Sequence, residues 1–288
     1  MRIHDLLGRN GPVFSFEFFP PKTEAGEQNL YQTIERLRAL QPTFVSVTYG
    51  AGGTTRDKTL ELVRRIKHEI GIEAMAHLTC VGADRDAIYA VLKMLAAAGI
   101  ENVLALRGDP PRDQTTFVRP ANGFGFAAEL VQFIRDHGFE FCLGGACYPE
   151  GHVECRDLDQ DLAHLKRKVD CGLEFVITQL FFDNADYFAF VERARARGVR
   201  VPIIPGIMPI TNLAQIERFT AMCGARIPDE LRSRLERVRD ADDAVRTVGI
   251  DHATAQCRDL LERGAPGIHF YTLNQSTATR AIFERLRG

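Results

Sequence analysis

Short apolar, β-branched runs recur along the chain, and most intervals between them carry apolar residues three or four apart, the helical period. Eight runs read as strands: Val13–Phe19, Phe44–Tyr49, Glu73–Thr79, Val103–Arg107, Glu140–Tyr148, Phe175–Phe181, Val201–Gly206 and Gly267–Leu273. The helical intervals are Leu30–Leu40, Thr59–Ile70, Ala87–Ala98, Ala127–Arg135, Leu158–Cys171, Asp186–Arg197 and Leu213–Met222. Gly71, Gly99, Gly138, Gly172 and Gly198 each follow such an interval, where a left-handed C-terminal cap is expected. The last interval is the longest, with extra helix expected over Pro228–Asp240 and Asp243–Arg263. Strand and helix alternating eight times predict an α/β fold, a (β/α)8 TIM barrel.

Composition narrows the setting. The 288 residues contain no Pro/Ser-rich linker and no low-complexity stretch, so one domain over residues 1–288 is expected. A net charge of −2 asks for neither nucleic acid nor an anionic membrane. The first eight residues, Met1–Gly8, carry no apolar signal core, and no run approaches a membrane span. The 7 cysteines are scattered without a Cys-x-x-Cys pair, which fits reduced thiols and a cytoplasmic location. Cys147, His152 and Cys155 are close in sequence. Zinc would want a fourth ligand and tighter pairs, so no metal site is expected.

Barrels place their chemistry at the C-terminal ends of the strands, and polar residues cluster there. Arg107-Gly108-Asp109-Pro110-Pro111 follows an apolar strand; Gly108 permits close backbone approach and Pro110 ends the strand. Glu17 alternates with Phe16 and Phe18 and so faces inward. A carboxyl in such a pocket is expected to have a raised pKa and to act as a general acid, or else to pair with a buried Arg or Lys. Tyr49–Thr55 is glycine-rich, with Thr54 and Asp57 in capping-box register, and reads as a phosphate-binding helix start or a plain capped turn. Lys166-Arg167-Lys168 is either a solvated helix face or a phosphate clamp, with Asp161 and His164 one and two turns earlier. His77 and His152 lie at strand ends, where a histidine commonly just satisfies a hydrogen bond. Gln179 puts an amide inside an apolar strand, where a flat heterocycle could supply its partners.

Taken together, Phe16-Glu17-Phe18-Phe19-Pro20-Pro21, Val47-Thr48-Tyr49-Gly50-Ala51-Gly52-Gly53, His77-Leu78-Thr79-Cys80, Arg107-Gly108-Asp109 and Tyr148-Pro149-Glu150-x-His152 resemble the methylenetetrahydrofolate reductases. Leu165-Lys166-Arg167-Lys168, Thr178-Gln179-x-Phe181-Phe182-Asp183, Pro205-Gly206-Ile207-x-Pro209 and His269-Phe270-Tyr271-Thr272-Leu273-Asn274 continue the likeness in family order. The chain is similar to the short bacterial form, a catalytic barrel without a regulatory domain.

The resemblance implies an FAD enzyme that takes a hydride from NADH or NADPH and passes it to methylenetetrahydrofolate, forming 5-methyltetrahydrofolate in a ping-pong cycle. It implies that Glu17 is the general acid that protonates folate N5 and opens the five-membered ring, and that Asp109 stabilises the cationic iminium. It puts folate and nicotinamide contacts on Gln179 and Phe219. It puts FAD contacts on Thr48, His77, Leu106, Arg107, Gly108, Asp109, Phe126, Ala127, Ala146, Tyr148, His152, Asp161, His164, Arg167 and Lys168. Three positions depart from the family pattern: Gln275 replaces a substrate-binding Arg, Phe126 a common Tyr, and His164 a common Asn. A homo-oligomer is expected.

Other readings differ in what they require. An aldolase-like barrel would need a Schiff-base Lys on a strand or a metal cluster, and the lysines fall in loops and helices. A cofactor-free binding barrel leaves Glu17, Asp109 and Gln179 without a purpose. The same flavin enzyme running in reverse, as a methyltetrahydrofolate oxidase, has an identical sequence signature.

Overall fold

The computed structural model describes residues 1–9, 11–49, 56–110 and 116–287. Nine parallel strands form a nearly closed barrel: β1 (Val13–Phe18), β2 (Phe44–Val47), β3 (Ala74–Thr79), β4 (Asn102–Leu106), β5 (Cys142–Cys147), β6 (Phe175–Thr178), β7 (Ile203–Ile204), β8 (Gly206–Ile207) and β9 (Gly267–Tyr271). The (β/α)8 expectation is met, with one difference. The expected seventh strand, Val201–Gly206, is two short pieces. Ile203–Ile204 pairs with β6, whereas Gly206–Ile207 pairs with β9. Pro205 between them has no N–H to donate to a ladder. Its carbonyl still accepts from His269 N at 2.9 Å, so this segment joins the two edges of the sheet.

The helices lie outside: α1 (Ile3–Leu6), α2 (Glu24–Arg38), α3 (Arg56–Arg65), α4 (Arg85–Ala97), α5 (Ala127–Asp136), α6 (Leu158–Asp170), α7 (Asn184–Ala196), α8 (Leu213–Cys223), α9 (Asp229–Glu236), α10 (Asp242–Glu262) and α11 (Thr277–Arg287). A π-helical turn, Ile66–Ile70, extends α3 to the expected end. Helix α2 starts six residues before the apolar period does, because Thr23 caps it by accepting from Gly26 N. The anticipated glycine caps all adopt positive φ, from Gly99 at 69° to Gly172 at 119°. Two helices escape the periodicity reading. Helix α1 is a single turn, too short to show a period. Helix α11 buries Ala278, Thr279, Ile282 and Phe283, and Phe283 meets Phe14 edge-on at 4.8 Å.

Alternation along each strand divides the apolar residues. Phe16, Phe18, Val45, Val47, Ala74 and Ala76 point outward into the core shared with the helices. Val13, Phe44, Met75, Leu104, Phe175, Ile177 and Ile204 fill the interior, with Ile3 of α1 packed among them. Ile3 N donates to the buried Asn102 side chain at 2.8 Å, which ties α1 to the barrel. Filled interiors of this kind leave ligands only the upper rim. Among the described residues no helix is long and apolar enough to cross a membrane.

The rim is fastened where β1 and β9 end. Leu273 and Asn274 adopt the left-handed region, at φ 51° and 58°. There the Asn274 amide accepts from Phe19 N at 2.9 Å and donates to Phe19 O at 2.8 Å. Asn274→Ala removes both bonds and places an alanine at positive φ. It should cost about 2–3 kcal/mol in urea denaturation, and Asn274→Gly, which keeps the backbone easy, should cost less. Equal stability of all three proteins would show that the fastening contributes nothing.

Candidate active site at the strand ends

Glu17 and Ser15 share the inward face of β1. Oε2 of Glu17 lies 3.5 Å from His77 Nε2 on β3 and 3.6 Å from His269 Nε2 on β9. Ser15 Oγ sits 2.7 Å from His269 Nδ1 and orients that ring. Both histidines are buried, whereas the Glu17 side chain keeps 20% of its surface exposed, toward the mouth. The Glu17 backbone is held too, because Thr272 Oγ1 donates to its carbonyl at 2.5 Å.

This cage corrects the expectation of a raised carboxyl pKa. Burial alone pushes Glu17 up, but the His269 contact and the positive lean of both imidazoles outweigh it. The carboxyl lies below its ordinary range. The alternative expectation, pairing with a buried Arg or Lys, is corrected as well: the partners are His77 and His269. Burial in turn lowers His77 to about 4 against the pull of Glu17, so that ring is neutral near pH 7.

From β4, the neighbour of the strand that carries His77, a cavity of about 230 Å³ opens between the ends of β4 and β5 and the helices α5 and α6. Eleven of the expected cofactor contacts line it: Leu106, Arg107, Phe126, Ala127, Ala146, Tyr148, His152, Asp161, His164, Arg167 and Lys168. The three consecutive cations diverge, because successive helical residues point about 100° apart. Lys166 turns outward to Asp170 at 2.5 Å. Arg167 borders the cavity. Lys168 reaches inward, and its Nζ donates to Ala146 O at 2.6 Å. Burial lowers the Lys168 ammonium and raises the Tyr148 phenol. Burial likewise raises the Asp161 carboxyl, with Lys168 and His152 opposing. A groove of about 540 Å³ lies outside the barrel between α5 and α6; two of its cations, Lys166 and Arg197, pair with Asp170 and Asp159, and the third, Arg167, also borders the rim cavity.

The remaining candidates sit apart from the cavity lining. His77 faces Glu17 instead. Thr48 follows β2, and its N–H donates to Phe18 O at 2.8 Å. Asp109 and Gln275 are exposed. Gly108 adopts φ 85°, and a Cβ there would come within 2.7 Å of Val81, so only glycine fits. Gln179 lies across Tyr148 in a crevice shared with Glu150 and Cys223. Phe219 packs on the α8–α10 cluster. The glycine-rich stretch 50–55 and the loop 111–115 lie outside the described residues, as does the expected cap at Thr54. Sequence reasoning assigned no role to Ser15, His269 or Thr272, although Ser15 stands two residues before Glu17 and therefore on its face. It also passed over Glu154, whose carboxylate binds Arg107 through two bonds of 2.5 and 2.7 Å.

Comparison with known proteins adds an independent line. The family model for methylenetetrahydrofolate reductase matches residues 2–287. Methylenetetrahydrofolate reductase (NADH) 1 of Arabidopsis thaliana is 42% identical over 295 residues, covering 99% of this chain and 50% of the plant protein. The chain thus spans about half the length of the plant relative. The 5,10-methylenetetrahydrofolate reductase of Salmonella typhimurium is 39% identical over 274 residues, covering 94% of this chain and 90% of the bacterial protein. Among solved structures, an uncharacterized Clostridium thermocellum protein that binds two copies of 5-methyl-5,6,7,8-tetrahydrofolic acid superposes with a TM-score of 0.65. It is 16% identical and covers 99% of this chain and 98% of its own, which is a likeness of fold.

The His77 shift has a consequence for stability. Its folded pKa, about 4, lies below the ordinary 6.5, so between these values the unfolded chain binds more protons. The contribution is whole above pH 6.5 and is lost as pH falls toward 4, a change on the order of 3 kcal/mol. In urea titrations at stepped pH, His77→Gln should flatten this slope; a wild-type slope retained by the variant would contradict the assignment.

Proposed function

The chain belongs to the methylenetetrahydrofolate reductase family, and on that premise we propose that it reduces 5,10-methylenetetrahydrofolate to 5-methyltetrahydrofolate, with FAD as cofactor and NADH or NADPH as hydride donor. The observation that carries this reading is the neighbourhood of two features on one rim. One is a carboxylate caged by two histidines, and the other is a cavity bordered by Arg107, Arg167 and Lys168.

The residues present fit a flavin nucleotide. Arg107 and Arg167 offer planar, charged donors to phosphate, and Lys168 adds a half-buried amine. Phe126 leaves 61% of its surface exposed at the cavity edge, a flat apolar face with no protein cover. At about 230 Å³ the cavity encloses part of a dinucleotide rather than all of it. Bound there, the flavin supplies the hydride chemistry.

The chain's own residues handle the proton. Net turnover takes one hydride from the nicotinamide and one proton from solvent. Glu17 begins ionised. A flat ligand covering the mouth removes its remaining water, strengthens the desolvation that already opposes ionisation, and lets the carboxyl load a proton. His269, steadied by Ser15, and His77 keep Oε2 in place while that proton passes to the folate. Asp109, exposed at the rim, is the negative charge available to a cationic folate intermediate. Gln179 and Phe219 serve folate and nicotinamide in turn.

Glu17→Gln keeps shape and size but cannot donate. The purified variant should carry a flavin band that NADH still bleaches without oxygen, while folate reduction falls by at least about 100-fold. Retained folate turnover would remove Glu17 from its role, and a colourless wild-type protein that FAD cannot reconstitute would remove the proposal. Gln275→Arg, which adds a bidentate cation at the exposed rim, should lower the Michaelis constant for folate or NADH several-fold with little change in kcat.

A further inference from the structure

Three metal-ligating side chains converge in the cavity at the ends of β4 and β5. Asp161 and His164 stand three residues apart on α6 and so share a face. Cys155 comes from the segment between β5 and α6. The thiol sulfur of Cys155, a carboxylate oxygen of Asp161 and a ring nitrogen of His164 all lie within 4.8 Å of one another. All three residues line the cavity. The cluster differs from the one suggested by sequence spacing. Cys147 is instead buried among apolar side chains and is not one of the three converging groups.

The donor set is selective. A thiolate, an imidazole and a carboxylate around one point suit a borderline-soft cation of the zinc class rather than magnesium or calcium. Tetrahedral zinc, with bonds of about 2.0–2.3 Å, holds its donors roughly 3.3–3.8 Å apart. His164 is exposed and Cys155 half-buried, so both side chains have room to move by the remaining ångström or so.

We propose that Cys155, Asp161 and His164 form a binding site for a thiophilic divalent cation, with its fourth position open to the cavity, and that this cation and the flavin nucleotide exclude each other. Binding exchanges the thiol proton for the metal: the S–H bond breaks, an S–metal bond forms, and one proton leaves to solvent without any change of oxidation state. The ligand set stands on geometry alone. The exclusion rests on the proposed function, because Asp161 and His164 are also expected flavin contacts, and side chains committed to a cation are withdrawn from the nucleotide.

The test uses the full chain as purified. Equilibrium dialysis against zinc and against cadmium, with elemental analysis, should give one metal per chain. Cys155→Ser and the shape-conserving His164→Asn should each weaken binding by more than about tenfold, the range that even outer-shell partners command. Zinc should also raise the fluorescence of released flavin in the wild type and leave it unchanged in Cys155→Ser. No stoichiometric metal, or binding indifferent to both substitutions, overturns the site. Metal bound through these residues with flavin fully retained overturns the exclusion. A colourless protein would defeat the proposed function, and the metal stoichiometry would then decide the site by itself.

Discussion

The barrel depends on a seam in which Thr178, Gly206 and Tyr271 lock three strands together. Thr178 Oγ1 accepts from Gly206 N at 2.9 Å, and its carbonyl accepts from the Tyr271 hydroxyl at 2.6 Å. A Cβ on residue 206 would lie 2.4 Å from Thr178 O, so the approach is open to glycine alone. Pro205 splits the ladder at this point, and the side-chain bonds reinforce the closure that backbone pairing on either side of it makes. Gln179 follows Thr178 directly, and His269 and Tyr271 are neighbours on β9, so closing the sheet also positions the rim.

Inside that closed sheet, polarity is stratified. The lower interior is apolar and filled. Above it comes a layer of Ser15, Ser46, His77, Thr79 and His269, all buried. Several of their polar atoms, including both histidine Nε2 atoms, have no hydrogen bond among the described residues. Such atoms are costly unless something charged stands close by. Glu17 is that charge, and its carboxylate stands within 3.6 Å of both ring nitrogens. The arrangement explains why a carboxyl in an aromatic-flanked strand is not driven neutral. It also makes the carboxyl responsive, since a small further loss of water changes which form is favoured.

The second half of the rim follows from helix geometry. Helix α6 sends Lys168 inward, Lys166 outward and Arg167 between them, so one charge run serves two surfaces. Its earlier turns carry Asp161 and His164 to the same cavity. Arg107 enters from the end of β4 and is held by two bonds to Glu154. Cations drawn from separate elements thus converge without a contiguous motif.

Much of this was legible in the chain. The eightfold alternation, the glycine caps and the inward face of Glu17 follow from period and backbone preference, which are local properties. The expected cofactor contacts came from motif resemblance, and eleven of them share one cavity because the ends of β4 and β5 and the helices that follow them are neighbours in such a barrel. What the sequence could not determine are the pairings between distant strands. The cage needs Ser15, Glu17, His77 and His269 together, separated by up to 254 residues along the chain. No periodicity encodes that the carboxyl would meet two histidines instead of a basic residue, and so the direction of its pKa was misjudged. The split at Pro205 and the grouping of Cys155 with Asp161 and His164 have the same origin. Each depends on which side chains face one another once the sheet has closed, and only the tertiary structure sets that.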